Sequence, residues 1–298
     1  MPNAFPRRFA HRGVAQAAPE NTLGAFEATA AMGLEGIELD IRLTRDGVPV
    51  VIHDPNLTRL TCGHPTGHSN ARVEGLTWDE LARVEIPYAN HTLGGEPPEG
   101  AENEFLALLP ERVLGQEFGR DYTATYAQEP RMAKLMRLAD FLDWLAASAP
   151  ASLEAEIEIC AGGLARPVFG LLDGHPAARR CIVFSGHPLY IAELQAHAAR
   201  EGKPAGLRLG ANLRRVDGDV LEDMEGMDLF EIGLNPGRFT VEDVRTLRER
   251  GVEVLANLMD TPAWWAELVT MGCYGFKTNY AGAFTQWAER QGECPWQK

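Results

Sequence analysis

Short apolar runs alternate with stretches of helical period along the whole 298-residue chain, which confines the fold to parallel strands joined by helices. The runs predict strands at 7–11, 36–41, 48–53, 153–160, 181–185, 205–209, 228–234, 252–258 and 275–279. Periodicity predicts helices at 22–33, 138–147, 164–173, 188–200, 240–250 and 262–271, with Gly33 and Gly251 at stops and Thr22, Thr240 and Thr261 near starts. Single α/β barrels commonly run to ~250 residues, so this length accommodates one barrel and an insertion. The expectation is an α/β chain folded as a (β/α)₈ TIM barrel, a single domain over 1–298 with an insertion after the third strand at about 57–135. Nine strands are one more than a barrel holds, so one is misplaced or lies outside it.

The link from Arg42 to Gly47 is too short for the crossover helix that parallel neighbours require, so an extended return turning at Arg45-Asp46-Gly47 is expected. Gly94 to Gly100, inside the insertion, has the composition of a loop. Cys62, His64 and His68 mimic part of a zinc site but lack a fourth ligand, and a plain loop is the better account. Trp264-Trp265 sits on a helical pattern and is assigned to packing, and Glu222 to Glu225 to a solvated turn.

Lys and Arg total 28 against 42 Asp and Glu, a formal net charge of −14 that argues against nucleic acid and anionic membrane surfaces as partners. An anionic substrate would need positive charge supplied locally. The five cysteines are scattered and lack C-x-x-C spacing, which fits free thiols in a reducing compartment. With no signal-like segment and no apolar run near the ~20 residues of a membrane span, a cytoplasmic location without membrane insertion is expected. Nothing in the pattern specifies an oligomeric state.

Polar groups close the first three strands: His11-Arg12-Gly13, Glu38-Leu39-Asp40 and His53-Asp54. Strand alternation puts Glu38 and Asp40 on one face, pointing into a barrel mouth, where paired carboxylates need a positive charge between them. A divalent cation, Mg²⁺ or Ca²⁺, meets that need with oxygen ligands. Glu154, Glu156 and Glu158 share one face of the next strand and offer a third carboxylate; an amphipathic edge strand with a solvated acidic face is the alternative. Two histidines beside such a cation suit phosphoryl chemistry, one removing a proton and the other returning one, and Arg12 suits a phosphate.

The ordered set His11-Arg12-Gly13, Pro19-Glu20-Asn21-Thr22, Glu38-Leu39-Asp40 and Thr44-Arg45-Asp46-Gly47 through His53-Asp54 resembles the amino-terminal signature of glycerophosphodiester phosphodiesterases. The likeness is dense over 8–61 and looser beyond, at Ile157-Glu158-Ile159, Val183-Phe184-Ser185 and 272–280. It implies that His11 and His53 are the acid–base pair, Arg12 the phosphate ligand, Glu20 a substrate-side residue near Arg12, and Glu38, Asp40 and Glu158 the metal ligands. It implies a small-molecule phosphodiester cleaved to glycerol 3-phosphate and an alcohol. Thr22 is expected to cap the first helix.

Two departures stand out. The family's lysine two residues after the strand glutamate is Cys160 here, and its aromatic wall is replaced by Asn257-Leu258. Lys277 or Arg208 could restore the missing charge, with ordinary salt bridges as the alternative for each. Cys160 also favours a rival reading, a non-catalytic phosphodiester-binding protein of the same fold. Retention of both histidines, Arg12 and three carboxylates favours the enzyme, since a binder has no need of an acid–base pair.

Overall fold

The computed structural model describes residues 6–15, 17–61, 70–87, 132–260 and 262–290. In chain order these form β1 (Arg7–His11), α1 (Leu23–Ala31), β2 (Gly36–Leu43), β3 (Pro49–Val51), α2 (Thr58–Thr61), α3 (Trp78–Leu81), β4 (Glu85–Pro87), β5 (Met132–Lys134), α4 (Leu138–Ala147), β6 (Glu154–Ile159), α5 (Ala165–Leu172), β7 (Cys181–Phe184), α6 (Pro188–Glu201), β8 (Arg208–Leu213), α7 (Gly218–Asp223), β9 (Glu231–Leu234), α8 (Val241–Glu249), β10 (Glu253–Ala256), α9 (Pro262–Met271), β11 (Gly275–Thr278) and α10 (Ala281–Arg290). Strands β1, β2 and β6 to β11 are parallel to their neighbours, and β1 pairs with both β11 and β2, so the sheet closes into an eight-stranded barrel. The ninth strand of the sheet is β3, which folds back antiparallel on the end of β2 with Ile41 opposite Val51. This is the strand outside the barrel. Gly47, at φ 80°, permits the tight return, and its N–H donates to the Thr44 carbonyl at 3.0 Å.

The period-2 pattern decides what faces where. Ile37, Leu39 and Ile41 of β2 and Ala155, Ile157 and Ile159 of β6 are buried in one core with Phe141, Leu142 and Val168 of the surrounding helices. A second core joins Ile232, Val254 and Phe276 to Val244, Trp265 and Phe284. Trp265 is fully buried and donates its indole N–H to the Met259 carbonyl at 2.7 Å, in agreement with a packing role. Inward-facing positions mix charged groups such as Glu38, Asp40, Glu156 and Lys277 with apolar Phe9, Ile182 and Phe184. A Cβ on Gly36 would lie 2.3 Å from the Phe9 ring. Gly36→Ala is therefore expected to destabilise the fold by ~1–3 kcal/mol through overpacking, read as a lower Tm in thermal melts. An unchanged Tm would mean that the ring moves aside without cost.

Between β3 and β6 the described residues add α2, α3 and an antiparallel β4–β5 pair, Glu85 opposite Lys134, over a small core of Val50, Ile52, Leu57, Leu81, Ile86 and Leu135. The Cys62-His64-His68 segment, Gly94 to Gly100 and Thr261 lie outside the described residues. Strand β8 begins at Arg208 and runs to Leu213, later than 205–209, because Gly206 at φ 85° still turns the chain and Leu207 donates back to Pro204. Gly33 and Gly251 do end helices with positive φ, and Thr240 forms a capping box with Asp243. Thr22 sits at the N-cap of α1, but its hydroxyl donates to the Pro19 carbonyl at 2.6 Å and caps no helical N–H. Glu222 and Asp223 close the short helix α7, which extends the expected turn backwards.

Candidate active site

The C-terminal ends of the barrel strands gather the polar residues. At the end of β1 the chain turns sharply, with Arg12 at φ 60° and Gly13 at φ 79°. A Cβ on Gly13 would meet Ala25 of α1 at 2.8 Å, so only glycine lets the helix pack this close. The strained turn aims the Arg12 backbone N–H at Glu38 Oε2, 3.0 Å away. Its guanidinium contacts Glu20 Oε1 through Nη1 at 2.9 Å and Asp40 Oδ2 through Nε at 3.1 Å. Buried Asn21 donates to Asp40 Oδ2 at 2.8 Å and, through Oδ1, accepts the Asp40 N–H at 3.2 Å.

Strand β6 carries its glutamates at three heights inside the barrel. Glu154, lowest, accepts from Tyr274 Oη at 2.5 Å and pairs with Arg208 at 2.9 Å. Glu156 is wholly buried and pairs with Lys277 Nζ at 2.6 Å. Glu158 is left at the mouth, directly opposite Asp40 in the β2–β6 register, while Glu38 is opposite Glu156. The acidic face therefore lines the barrel and is no solvated edge. Donor atoms of Asp40, Glu158 and Cys160 all lie within 4.8 Å of one another. Glu38, one level down, is not in that group and instead faces the Arg12 N–H and, at 3.9 Å, His11 Nε2.

Burial and the Asp40 charge hold the Glu38 and Glu158 carboxyls above the usual range, well above it for Glu38. Burial pushes Asp40 the same way, but Arg12, His53, His11 and the Asn21 bond outweigh it and lower its pKa. A group of mutually repelling carboxylates, Glu38 and Asp40 buried and Glu158 half-buried, with nearby convergent donors fits a divalent cation. Lys277 is also buried, and although burial works against its charge, Glu156, Glu38, Glu158 and Glu231 keep its pKa raised. Both candidate replacements for the family lysine thus form salt bridges. Arg208 serves the bottom of the barrel, and Lys277 sits beneath the mouth, its ammonium 3.9 Å from the centre of the Phe184 ring.

The two histidines are each fixed through Nδ1. Asn279 donates through Nδ2 to Asp260 Oδ2 at 2.8 Å, so its Oδ1, 2.8 Å from His11 Nδ1, is an acceptor and the His11 proton resides on Nδ1. Burial first, then the Arg12 charge, lowers the His11 pKa to about 4 against the pull of Asp40, Asn279 and Asp260. His53 Nδ1 lies 2.8 Å from Asp54 Oδ1. Arg59, on α2, grips that same Asp54 through Nε at 2.7 Å and both oxygens of Glu20 through Nη1 at 2.6 Å and Nη2 at 2.7 Å. A continuous line of charge thereby runs from His53 through Asp54, Arg59, Glu20 and Arg12 to Asp40.

All seven residues singled out in the sequence, His11, Arg12, Glu20, Glu38, Asp40, His53 and Glu158, lie at this end of the barrel. Sequence reasoning missed Arg59, Asp54, Asn279 and Asp260 as supports. Asp54 was signalled by its place next to His53 and Asn279 by its place one residue after β11, whereas nothing local marked Arg59 or Asp260.

The fold and site define a TIM barrel with an acidic, histidine-flanked mouth. A family profile described as the glycerophosphoryl diester phosphodiesterase family matches residues 11–162. Mouse glycerophosphodiester phosphodiesterase 1 is 43% identical over 104 residues, 35% of this chain and 28% of that protein. A glycerophosphodiester phosphodiesterase of Bacillus altitudinis is 38% identical over 104 residues, 35% of this chain and 40% of that protein. The matched stretch thus spans well under half of these relatives' lengths. Among solved structures, a phosphodiesterase of Oleispira antarctica in complex with the product sn-glycerol-3-phosphate superposes with a TM-score of 0.67 at 19% identity, covering 96% of this chain and 97% of that one. A glycerophosphodiester phosphodiesterase of Agrobacterium tumefaciens does so with a TM-score of 0.63 at 20% identity, covering 94% and 98%. At such identities the structures speak for the fold. The profile, spanning half of the chain, speaks for descent: the protein belongs to the glycerophosphoryl diester phosphodiesterase family.

Proposed function

We propose that this protein hydrolyses glycerophosphodiesters to glycerol 3-phosphate and an alcohol, using His11 and His53 as its acid–base pair and a divalent cation, Mg²⁺ or Ca²⁺ in the first instance. The observation that carries the reading is the pairing of two orientated histidines with buried Asp40 and half-buried Glu158 at one barrel mouth. Asp40 and Glu158 would hold the cation from adjacent strands, with Glu38 completing the oxygen set from one level below. A cation held there would supply positive charge to the phosphoryl group and lower the pKa of a substrate hydroxyl.

The chain's own groups do the rest. With its proton fixed on Nδ1, His11 presents a lone pair on Nε2 and takes the proton of the attacking oxygen. His53, anchored by Asp54, gives a proton to the leaving alcohol. Arg12 is pinned by Glu20 and Asp40 through Nη1 and Nε, so its guanidinium is already orientated to receive a phosphate oxygen and the charge that builds on it. Asn257, buried where the family has an aromatic wall, favours an alcohol that is hydrogen-bonded over one that is stacked. Incubation with glycerophosphodiesters of differing alcohols, with glycerol 3-phosphate assayed as product, tests the reading. Substrate that binds and is never cleaved would instead support a binding protein.

Arg59 is a positioning residue in this scheme, since it touches the partner of His53 and the partner of Arg12 at once. Arg59→Ala is expected to lower kcat/KM by roughly 10- to 100-fold, as loss of an orienting outer partner typically does. Arg59→Lys should restore little, because one ammonium cannot grip two carboxylates bidentately. Full activity in Arg59→Ala, measured as separate kcat and KM, would confine Arg59 to holding α2 in place.

A single domain over 1–298, with the insertion at about 57–135 as part of it, is the organisation we infer. A small core shared by β3, α2, α3 and the β4–β5 pair supports that reading. A reducing, cytoplasmic setting is supported by free Cys160, Cys181 and Cys273 among the described residues. No described helix is long and apolar enough to cross a membrane.

A further inference from the structure

The donor group at the barrel mouth is not made of oxygen alone. Cys160 follows β6 directly, so strand parity sends its side chain to the same inner face as Glu158. Its Sγ lies 3.5 Å from Asp40 Oδ1, the carboxylate oxygen that neither Arg12 nor Asn21 uses. In a tetrahedral site with ~2.3 Å to sulfur and ~2.0 Å to oxygen, a thiolate and a carboxylate oxygen stand roughly 3.5 Å apart. Glu158 completes a set whose donor atoms all fall within 4.8 Å, and Glu38 does not belong to it.

We propose that Cys160 is a sulfur ligand of the divalent-cation site, added to the oxygens of Asp40 and Glu158 with Glu38 one level below, so that borderline-soft ions such as Zn²⁺, Co²⁺ and Cd²⁺ bind there more tightly than Mg²⁺ or Ca²⁺. The inference deepens the proposed function and rests on its placing of the cation between Asp40 and Glu158. Hard ions gain little from sulfur, whereas thiolate selects zinc-like ions over magnesium. The thiol donates to Asp40; on binding of an ion the S–H bond would break, its proton going to solvent and the sulfur lone pair being shared with the ion. No oxidant or reductant takes part. The family's lysine at this position would place a cation where the sulfur now stands, so the exchange replaces a fixed positive charge with a donor that draws a mobile one.

The test is titration of the reduced full chain with Co²⁺, followed by near-ultraviolet absorption and by calorimetry. The expected result is a sulfur-to-cobalt charge-transfer band that saturates at about one equivalent and is lost in Cys160→Ser, while calorimetry of Cys160→Ser still registers weaker binding. Use of Cys160→Ser as the comparison removes any contribution from the other four cysteines. Cobalt bound by the natural chain without the band, or a band that persists in Cys160→Ser, overturns the sulfur ligand and leaves an all-oxygen site standing. If neither Co²⁺ nor Mg²⁺ gives a calorimetric signal, the cation reading itself falls and takes this inference with it.

Discussion

Replacing His11 or His53 with alanine is expected to lower turnover by ~10²–10⁴ while leaving the fold intact, the usual range for a general acid or base. Neither ring holds the structure together. His53 is 40% exposed, and its partner Asp54 keeps Arg59 when the imidazole is gone. Removal of His11 leaves Asn279 bonded to Asp260 through both its backbone N–H and Nδ2. The loss should therefore appear in kcat with melting temperatures close to that of the natural chain. The ionisation of His11 supplies an independent check. Burial and Arg12 favour its neutral form and bring its pKa to about 4, so in the ion-free protein its ring is uncharged at neutral pH and able to accept a proton. An NMR titration should place its midpoint far below the ordinary ~6.5 of histidine. Near-natural activity in either alanine variant removes that residue from the chemistry.

Much of this site was legible because a strand has a period of two. That parity alone sets Glu38 with Asp40, and Glu154 with Glu156 and Glu158, on inward faces. What parity could not convey is height. Which of the three β6 glutamates stays available depends on Arg208 claiming Glu154 and Lys277 claiming Glu156, partners that lie some fifty to 120 residues further along the chain. The family resemblance named Glu158, and the register opposite Asp40 supplies the physical reason. The same register sets Glu38 one level below Asp40, opposite Glu156. Strand β3 was visible as an apolar run, yet its place outside the barrel follows only from the short Arg42–Gly47 return, which cannot carry a crossover. Asp260 and Arg59 went unassigned because their meaning is tertiary. An arginine on a four-residue helix is an ordinary surface residue until Glu20 and Asp54 are seen to meet around it.

Removal of the cation is expected to cost activity as heavily as removal of a histidine. Charge stabilisation by a bound ion amounts to several kcal/mol at the transition state, which corresponds to ~10³ or more in rate. Chelation should therefore abolish turnover, and added ion should restore it. The carboxylates make a second, less obvious outcome follow. Burial and the charge of Asp40 raise the pKa of Glu158, so its ionised form weighs against the folded state whenever no ion is present. For a carboxyl whose folded pKa lies above its unfolded one, stability is gained as pH falls through the folded value and is lost as pH rises again. Glu158→Gln keeps the shape and removes the charge. Without ion at neutral pH this variant should melt no lower than the natural chain, and higher where the repulsion is relieved. With ion, the order should reverse, because the natural chain gains binding free energy that Glu158→Gln cannot. Paired melts with chelator and with saturating ion read both halves at once. Full activity in chelator, or an ion-induced rise in Tm that is equal in the two proteins, would remove Glu158 from the cation site and leave its place beside Asp40 without a function.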